Sequence, residues 1–244
     1  MLLFGSRDGD TIIQPNWLVV TIDETGDTTR RDPRHPVFGL AGCAVLAKDY
    51  DASLATPWMR MKDRVFDGRQ SALHAADLRQ PSEEQISALN SFFRDAPIAR
   101  FGAFITDRSA LHVPVAPYAV VGAMLIRQLA QVLRIWQCNG ITLVVESSPK
   151  HDDQFFELFS TLEFKAGMPG SEAALPLTMF RSDKNPGIPS LEVADFIAHT
   201  GGIGTRASLG GSAPSSRPEM EIVFGPPEPV AQYIRIDEFT RGAA

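Results

Sequence analysis

Three acidic residues occupy positions from which carboxylate chemistry is possible: Asp23 closes the apolar run WLVVTID, Glu146 closes ITLVVE, and Asp195 lies inside LEVADFIAHT. A run apolar on both pleat faces predicts a central strand covered on two sides, so the first two acids stand at strand ends. In the third segment Leu191, Ala194, Asp195 and Ala198 share one helical stripe, which aims a carboxylate inward. A buried charge without a partner costs several kcal/mol, so such an acid is paired, protonated or bound to a cation. Any one of the three alone is as well explained by a Lys or Arg partner or by solvent.

Their shared placement changes the reading. Ligands of α/β sheets lie beyond strand ends, and carboxylates converging there repel one another unless a cation binds them. Oxygen-rich sites of this kind suit Mg²⁺ or Mn²⁺. Two such ions about 4 Å apart activate water and stabilise both oxygens of an in-line phosphodiester displacement. Asp23, Glu146 and Asp195 are therefore the expected catalytic residues and metal ligands.

Other candidates have plainer readings beside them. Lys150, Arg181 and Lys184 fall near the expected strand ends, where a phosphate would lie, and of these Lys184 is the one read as substrate-binding; exposed basic residues are more often solvated. His199 follows Asp195 by four residues on roughly the same helix face, where a local hydrogen bond explains it as well as ligation. His151, Asp152 and Asp153 open a helix after Pro149, and acids there favour the helix dipole. Asp107 ends a strand and is a reserve ligand. Phe155 and Phe156 fit a core better than a base-stacking platform. The chain has no GxxxxGK[ST] loop, GxGxxG fingerprint, GxSxG elbow or HExxH helix, which disfavours kinase, dehydrogenase, hydrolase-elbow and zincin chemistry.

The elements that must hold these residues follow from the pattern. WLVVTID and VFGLAGCAVLA read as a hairpin with a long loop, and two helical stretches occupy roughly residues 49–96, the second opening at PSEEQ. ARFGAFITD is a third strand. Pro117 introduces the most apolar helical pattern, YAVVGAMLIRQLAQVLRIWQ, expected to be largely buried. ITLVVE, a helix at DDQFFELFSTLEF, a strand around LPLTMF and a short helix from near Ser190 complete the core. The order predicts a mixed five-stranded α/β sheet flanked by helices, with a helical insertion between the second and third strands. Residues 1–244 read as one domain, its core over about 17–200. GGIGTRASLGGSAPSSRPE, from Gly201, reads as a flexible loop, followed by a C-terminal extension with a late strand at EIVF.

Composition sets limits. A chain of 244 residues holds one sizeable core, and a formal net charge of −6 with pI near 5.4 argues against a strongly basic nucleic-acid coat. Cys43 and Cys138 lie in apolar runs without disulfide or zinc spacing, so free buried thiols in a reducing compartment are expected. The N-terminal apolar run is too short for a signal peptide and no run approaches ~18 apolar residues, which predicts a cytoplasmic protein that does not cross a membrane.

TIDETGD at 21–27 with the apolar strand after it, LHAADL at 73–78 and LEVADFIAH at 191–199 together resemble the bacterial family catalogued as domain of unknown function 3800. Its members typically carry a strand-end Asp-Glu-Ser-Gly, a Glu-x-His or Glu-x-Lys element, a strand-end acid and a Leu-Gln-x-Ala-Asp helix. The resemblance covers about residues 17–200 and implies a ribonuclease H-like fold with metal-dependent nuclease chemistry, an associational inference from fold. It marks Asp23, Glu24, Glu146 and Asp195, with Glu24 and His74 toward substrate.

The chain departs from that pattern in two places. Thr25 stands where serine is usual and keeps a hydroxyl. Ala72 stands where the pattern has Glu, so one expected carboxylate is missing; Asp77 is a substitute ligand, or His74 ligates metal or orients substrate. Two functions follow: a Mg²⁺- or Mn²⁺-dependent nuclease or related phosphoryl-transfer enzyme acting on nucleic acid, or a catalytically impaired protein that binds nucleic acid or a protein partner.

Overall fold

The computed structural model describes residues 2–6, 9–28, 36–66, 72–78, 80–106, 117–147, 152–160, 164–166, 173–182, 187–208 and 234–235. In chain order the elements are β1 (Leu2–Ser6), β2 (Gly9–Ile13), β3 (Trp17–Gly26), β4 (Val37–Leu46), α1 (Thr56–Val65), α2 (Glu83–Asp95), β5 (Ala99–Thr106) and α3 (Pro117–Ile135). There follow β6 (Gly140–Glu146), α4 (Asp152–Ser160), β7 (Phe164–Ala166), β8 (Ala173–Leu175), β9 (Leu177–Ser182), α5 (Pro189–Ser208) and β10 (Ile234–Arg235).

The five long strands form a mixed sheet in the order β5-β4-β3-β6-β9, and the two-residue β10 lies parallel to β5 at its edge. β4 runs antiparallel to β3 and β5, whereas β6 is parallel to both β3 and β9. Apolar β3 and β6 are central because both of their faces are covered. Val19 of β3 and Val144 of β6 join the layer that includes Trp58, Phe92, Phe93 and Phe196. Leu18, Val20 and Ile22 alternate toward the other layer, with Leu143 and Val145 and with Val121, Leu125, Leu129 and Val132 of α3. The expected insertion between the second and third strands is α1 and α2; α2 starts with Ser82 and Gln85 in a reciprocal capping box.

α3 is largely buried, as expected, and among its described residues exposes Ala119, Ala123, Arg127 and Ala130. Elsewhere the structure departs from the sequence reading. The flexible loop expected from Gly201 is not observed over its first eight residues: α5 continues to Ser208 and spans 20 residues. Gly202 serves close packing, since a Cβ there would stand 3.1 Å from the Thr25 side chain on β3. The Thr205 hydroxyl also donates to the Gly201 carbonyl within the same turn at 2.8 Å. The hairpins β1–β2 and β7–β8 were not anticipated. EIVF lies outside the described residues. No helix among the described residues is long and apolar enough to cross a membrane.

Candidate functional site

Parallel pairing brings the two strand-end acids side by side. The last β3–β6 pair is Ile22 with Val145, and Asp23 and Glu146 are the next residue on each strand. Alternation directs both toward the layer of Val19 and Val144, the face on which α5 packs. Asp195 approaches from α5. The three acids line one pocket of about 40 Å³ with Ala72, His74, Gly187, Ile188, Leu191 and Glu192. Since a water occupies at least ~10–15 Å³ of such space, the pocket suits an ion and a few waters rather than an organic molecule.

Two of the acids are electrostatically strained. Burial pushes the Asp23 carboxyl well above the usual carboxylate range; repulsion from Asp195, Glu146 and Glu24 adds to this, and the Glu24 backbone N–H opposes it. Burial also raises Asp195, with Glu146 adding, against the lowering effects of the Ala75 N–H, His74 and a hydrogen bond with the Asp23 carboxyl. Mutual repulsion thus adds to burial in making these two acids harder to ionise.

The LHAADL peptide docks onto Asp195. His74 is extended, and Ala75–Asp77 form one 3₁₀ turn. The Ala75 N–H that opens this turn donates to Asp195 Oδ2 at 2.6 Å. His74 Nδ1 stands 4.0 Å from the same oxygen, with the imidazole half exposed. Ala72 lines the pocket, so the position where the family pattern has Glu does face the carboxylates.

The remaining candidates fall elsewhere. Asp77 is exposed and is not part of the pocket wall, so it stands apart from the three acids it was to join. Glu24 alternates to the opposite side of β3 and does not line the pocket. His199 sits one turn beyond Asp195, also outside it. Lys184, Lys150, His151 and Asp107 lie outside the described residues. Phe155 is buried and stacks on Phe159, but Phe156 is 50% exposed under the Arg181 guanidinium, which corrects the core assignment for that half of the pair. Cys43 and Cys138 are free and buried, as expected.

Sequence reasoning missed Glu192. It lines the pocket, and its Oε1 accepts from Lys62 Nζ at 2.8 Å while Oε2 accepts from Trp58 Nε1 at 2.7 Å. The one available signal was its place three residues before Asp195, on the same side of the helix.

Among the described residues no three His, Cys, Asp or Glu side chains stand as a ready-made metal cage. The donor chemistry nevertheless suits a hard divalent cation, because oxygen donors from carboxylates that repel one another are the groups such an ion would draw together. No family model, curated protein or solved structure matches the chain.

Proposed function

We propose that this chain is a Mg²⁺- or Mn²⁺-dependent nuclease or related phosphoryl-transfer enzyme of ribonuclease H-like fold, in the domain of unknown function 3800 family. The observation that carries the reading is the convergence of Asp23, Glu146 and Asp195 on one small pocket at the end of the parallel strands, with Asp23 and Asp195 held above their ordinary range. The mixed sheet supports it: counted along the chain, the five long strands lie 3-2-1-4-5 with only the second reversed. Asp23, Glu146 and Asp195 would hold the cation, which supplies charge neutralisation and an acidified water when bound.

The chain's own groups have separable tasks. Asp23 and Asp195 release their protons when the cation binds. The Ala75 N–H orients the Asp195 carboxylate, and the half-exposed His74 beside it would meet a substrate phosphate. The substrate is nucleic acid and the compartment the cytoplasm, where Cys43 and Cys138 stay reduced.

Purified protein incubated with single- and double-stranded DNA, RNA and hybrid duplexes should cleave at least one of them with Mg²⁺ or Mn²⁺, and Asp23→Asn should abolish this. No cleavage of any substrate, or cleavage that survives Asp23→Asn, rejects the catalytic reading. Ala72 supports a second reading, a binding protein without catalysis, because a methyl group lines the pocket where the family pattern has a carboxylate. Metal-dependent nucleic-acid binding without turnover would select it.

A further inference from the structure

Lys62 and Glu192 form an ion pair in which the side chains are only 2% and 3% exposed, and Trp58 Nε1 donates to the second oxygen of the same carboxylate. Desolvating such a pair roughly cancels its attraction, and apolar side chains of the same volume usually hold a fold as well or better. What apolar packing does not supply is direction: the hydrophobic effect rewards area removed from water and is indifferent to a small slide or rotation. α5 is a helix for which this matters. It packs on β3 and β4, and Ala198 and Gly202 on the helix, with Ala41 and Cys43 on β4, are small side chains that give little purchase against sliding.

Directional contacts are concentrated at its first turn. The Tyr50 hydroxyl accepts from the Ser190 N–H at 3.4 Å and donates to Ser190 Oγ at 3.2 Å, so a side chain 140 residues away caps a helix start whose N–H groups have no partner within the helix. Glu192 in the same turn accepts from Lys62 Nζ at 2.8 Å and Trp58 Nε1 at 2.7 Å, two donors one turn apart on α1. Separate donors on the two oxygens fix the carboxylate in position and orientation. Asp195 follows Glu192 by three residues, and its Oδ2 accepts from the Ala75 N–H at 2.6 Å. A short bond to a backbone amide tolerates little displacement.

We propose that the Lys62–Glu192 pair, with Trp58, is a register lock for α5: it places Asp195 against the Ala75 amide and adds little to global stability. Lys62 and Trp58 are then positioning residues that act through Glu192. Fixing helix register is the best-attested use of polar groups inside a fold. The inference goes beyond the proposed function and does not depend on it, since nothing in it requires a bound ion or a substrate.

The test is amide hydrogen exchange of the metal-free protein, read residue by residue by NMR beside chemical denaturation, for wild type, Lys62→Met/Glu192→Gln and Asp195→Ala. The double variant removes both charges and keeps an acceptor for Trp58. It should unfold at the wild-type denaturant midpoint or above, while the Ala75 amide exchanges about tenfold faster and the amides of β3 and β6 are unchanged. Asp195→Ala should also speed Ala75, which ties that amide to the bond. Ala75 exchange within about twofold of wild type in the folded double variant overturns the inference. So does an Ala75 amide that exchanges as fast in wild type as in Asp195→Ala. Loss of protection at Ala75, β3 and β6 alike overturns it too, because the pair is then a stabilising element. Should the double variant not fold, Lys62→Met/Glu192→Met, which buries no unpaired amide, decides by the same readings, and failure of both to fold rejects the lock.

Discussion

At the residue scale, the fold makes the Asp23 and Asp195 carboxyls harder to ionise than exposed ones. Both are held above the ordinary aspartate value of 3.8, chiefly by burial. A carboxyl whose folded pKa exceeds its unfolded one binds its proton more tightly when folded. Its stabilising contribution is therefore complete below about 3.8 and is lost as pH rises through the raised value. The metal-free protein should be more stable in mild acid than the rest of its carboxylates would dictate. Asp23→Asn should lessen that pH dependence by removing one partner and the repulsion, and should leave metal-free stability at neutral pH equal or higher. Chemical denaturation at several pH values checks this; a variant with the wild-type profile and lower stability at every pH rejects the electrostatic account. Metal binding competes with protons on the same carboxyls, so Mn²⁺ affinity should fall as pH drops, with proton release measurable by calorimetry in buffers of different ionisation enthalpy.

At the element scale, α5 is the piece whose position matters most, because it carries Asp195 and Glu192 together. Gly202 lets this helix pass close to β3: an added Cβ meets Thr25 Cγ2 and Oγ1 at 3.1 Å. Gly202→Val should force the two elements apart, cost about 1–3 kcal/mol in unfolding free energy and weaken Mn²⁺ binding by moving Asp195. Ser82→Ala provides the contrast. It removes the α2 capping box, at a cost of about 0.5–2 kcal/mol, and should leave Mn²⁺ affinity unchanged because Ser82 does not line the pocket. Equal metal affinities in the two variants would deny α5 its special place. Elements also mark where the sequence was readable. The α2 start was legible because the Ser82–Gln85 exchange is local. The reach of α5 past Gly201 was not, since Gly and Ser composition signals flexibility unless one knows that Thr25 lies across from Gly202. Lys62 was equally hidden: beside Arg60, Asp63 and Arg64 it reads as a solvated face, and its buried partner Glu192 lies 130 residues away.

At the scale of the whole molecule, the site stands where two layers and one sheet meet. β3 and β6 place Asp23 and Glu146 side by side through a parallel register; the two doubly apolar runs announce central strands in the sequence, but not that pairing. Asp195 was legible as an inward acid on a helical stripe, but its bond to Ala75 spans 120 residues and has no local signature. The β1–β2 hairpin escaped notice because Phe4 and Ile13 are buried while Leu3 and Ile12 are exposed, so its apolar residues sit on both faces and no amphipathic alternation emerges. Because α5 packs directly on β3, β4 and β5, a ligand at its acidic face should stabilise the global fold rather than a local loop. A cation binding only the folded state adds about 2.7 kcal/mol at a hundred times its dissociation constant. Thermal unfolding of wild type should therefore move up by several degrees with saturating Mn²⁺, as one cooperative transition, and Asp195→Asn should abolish the shift. A shift that persists in Asp195→Asn would place the ion elsewhere, and a shift confined to an early partial transition would mean that α5 is not coupled to the core.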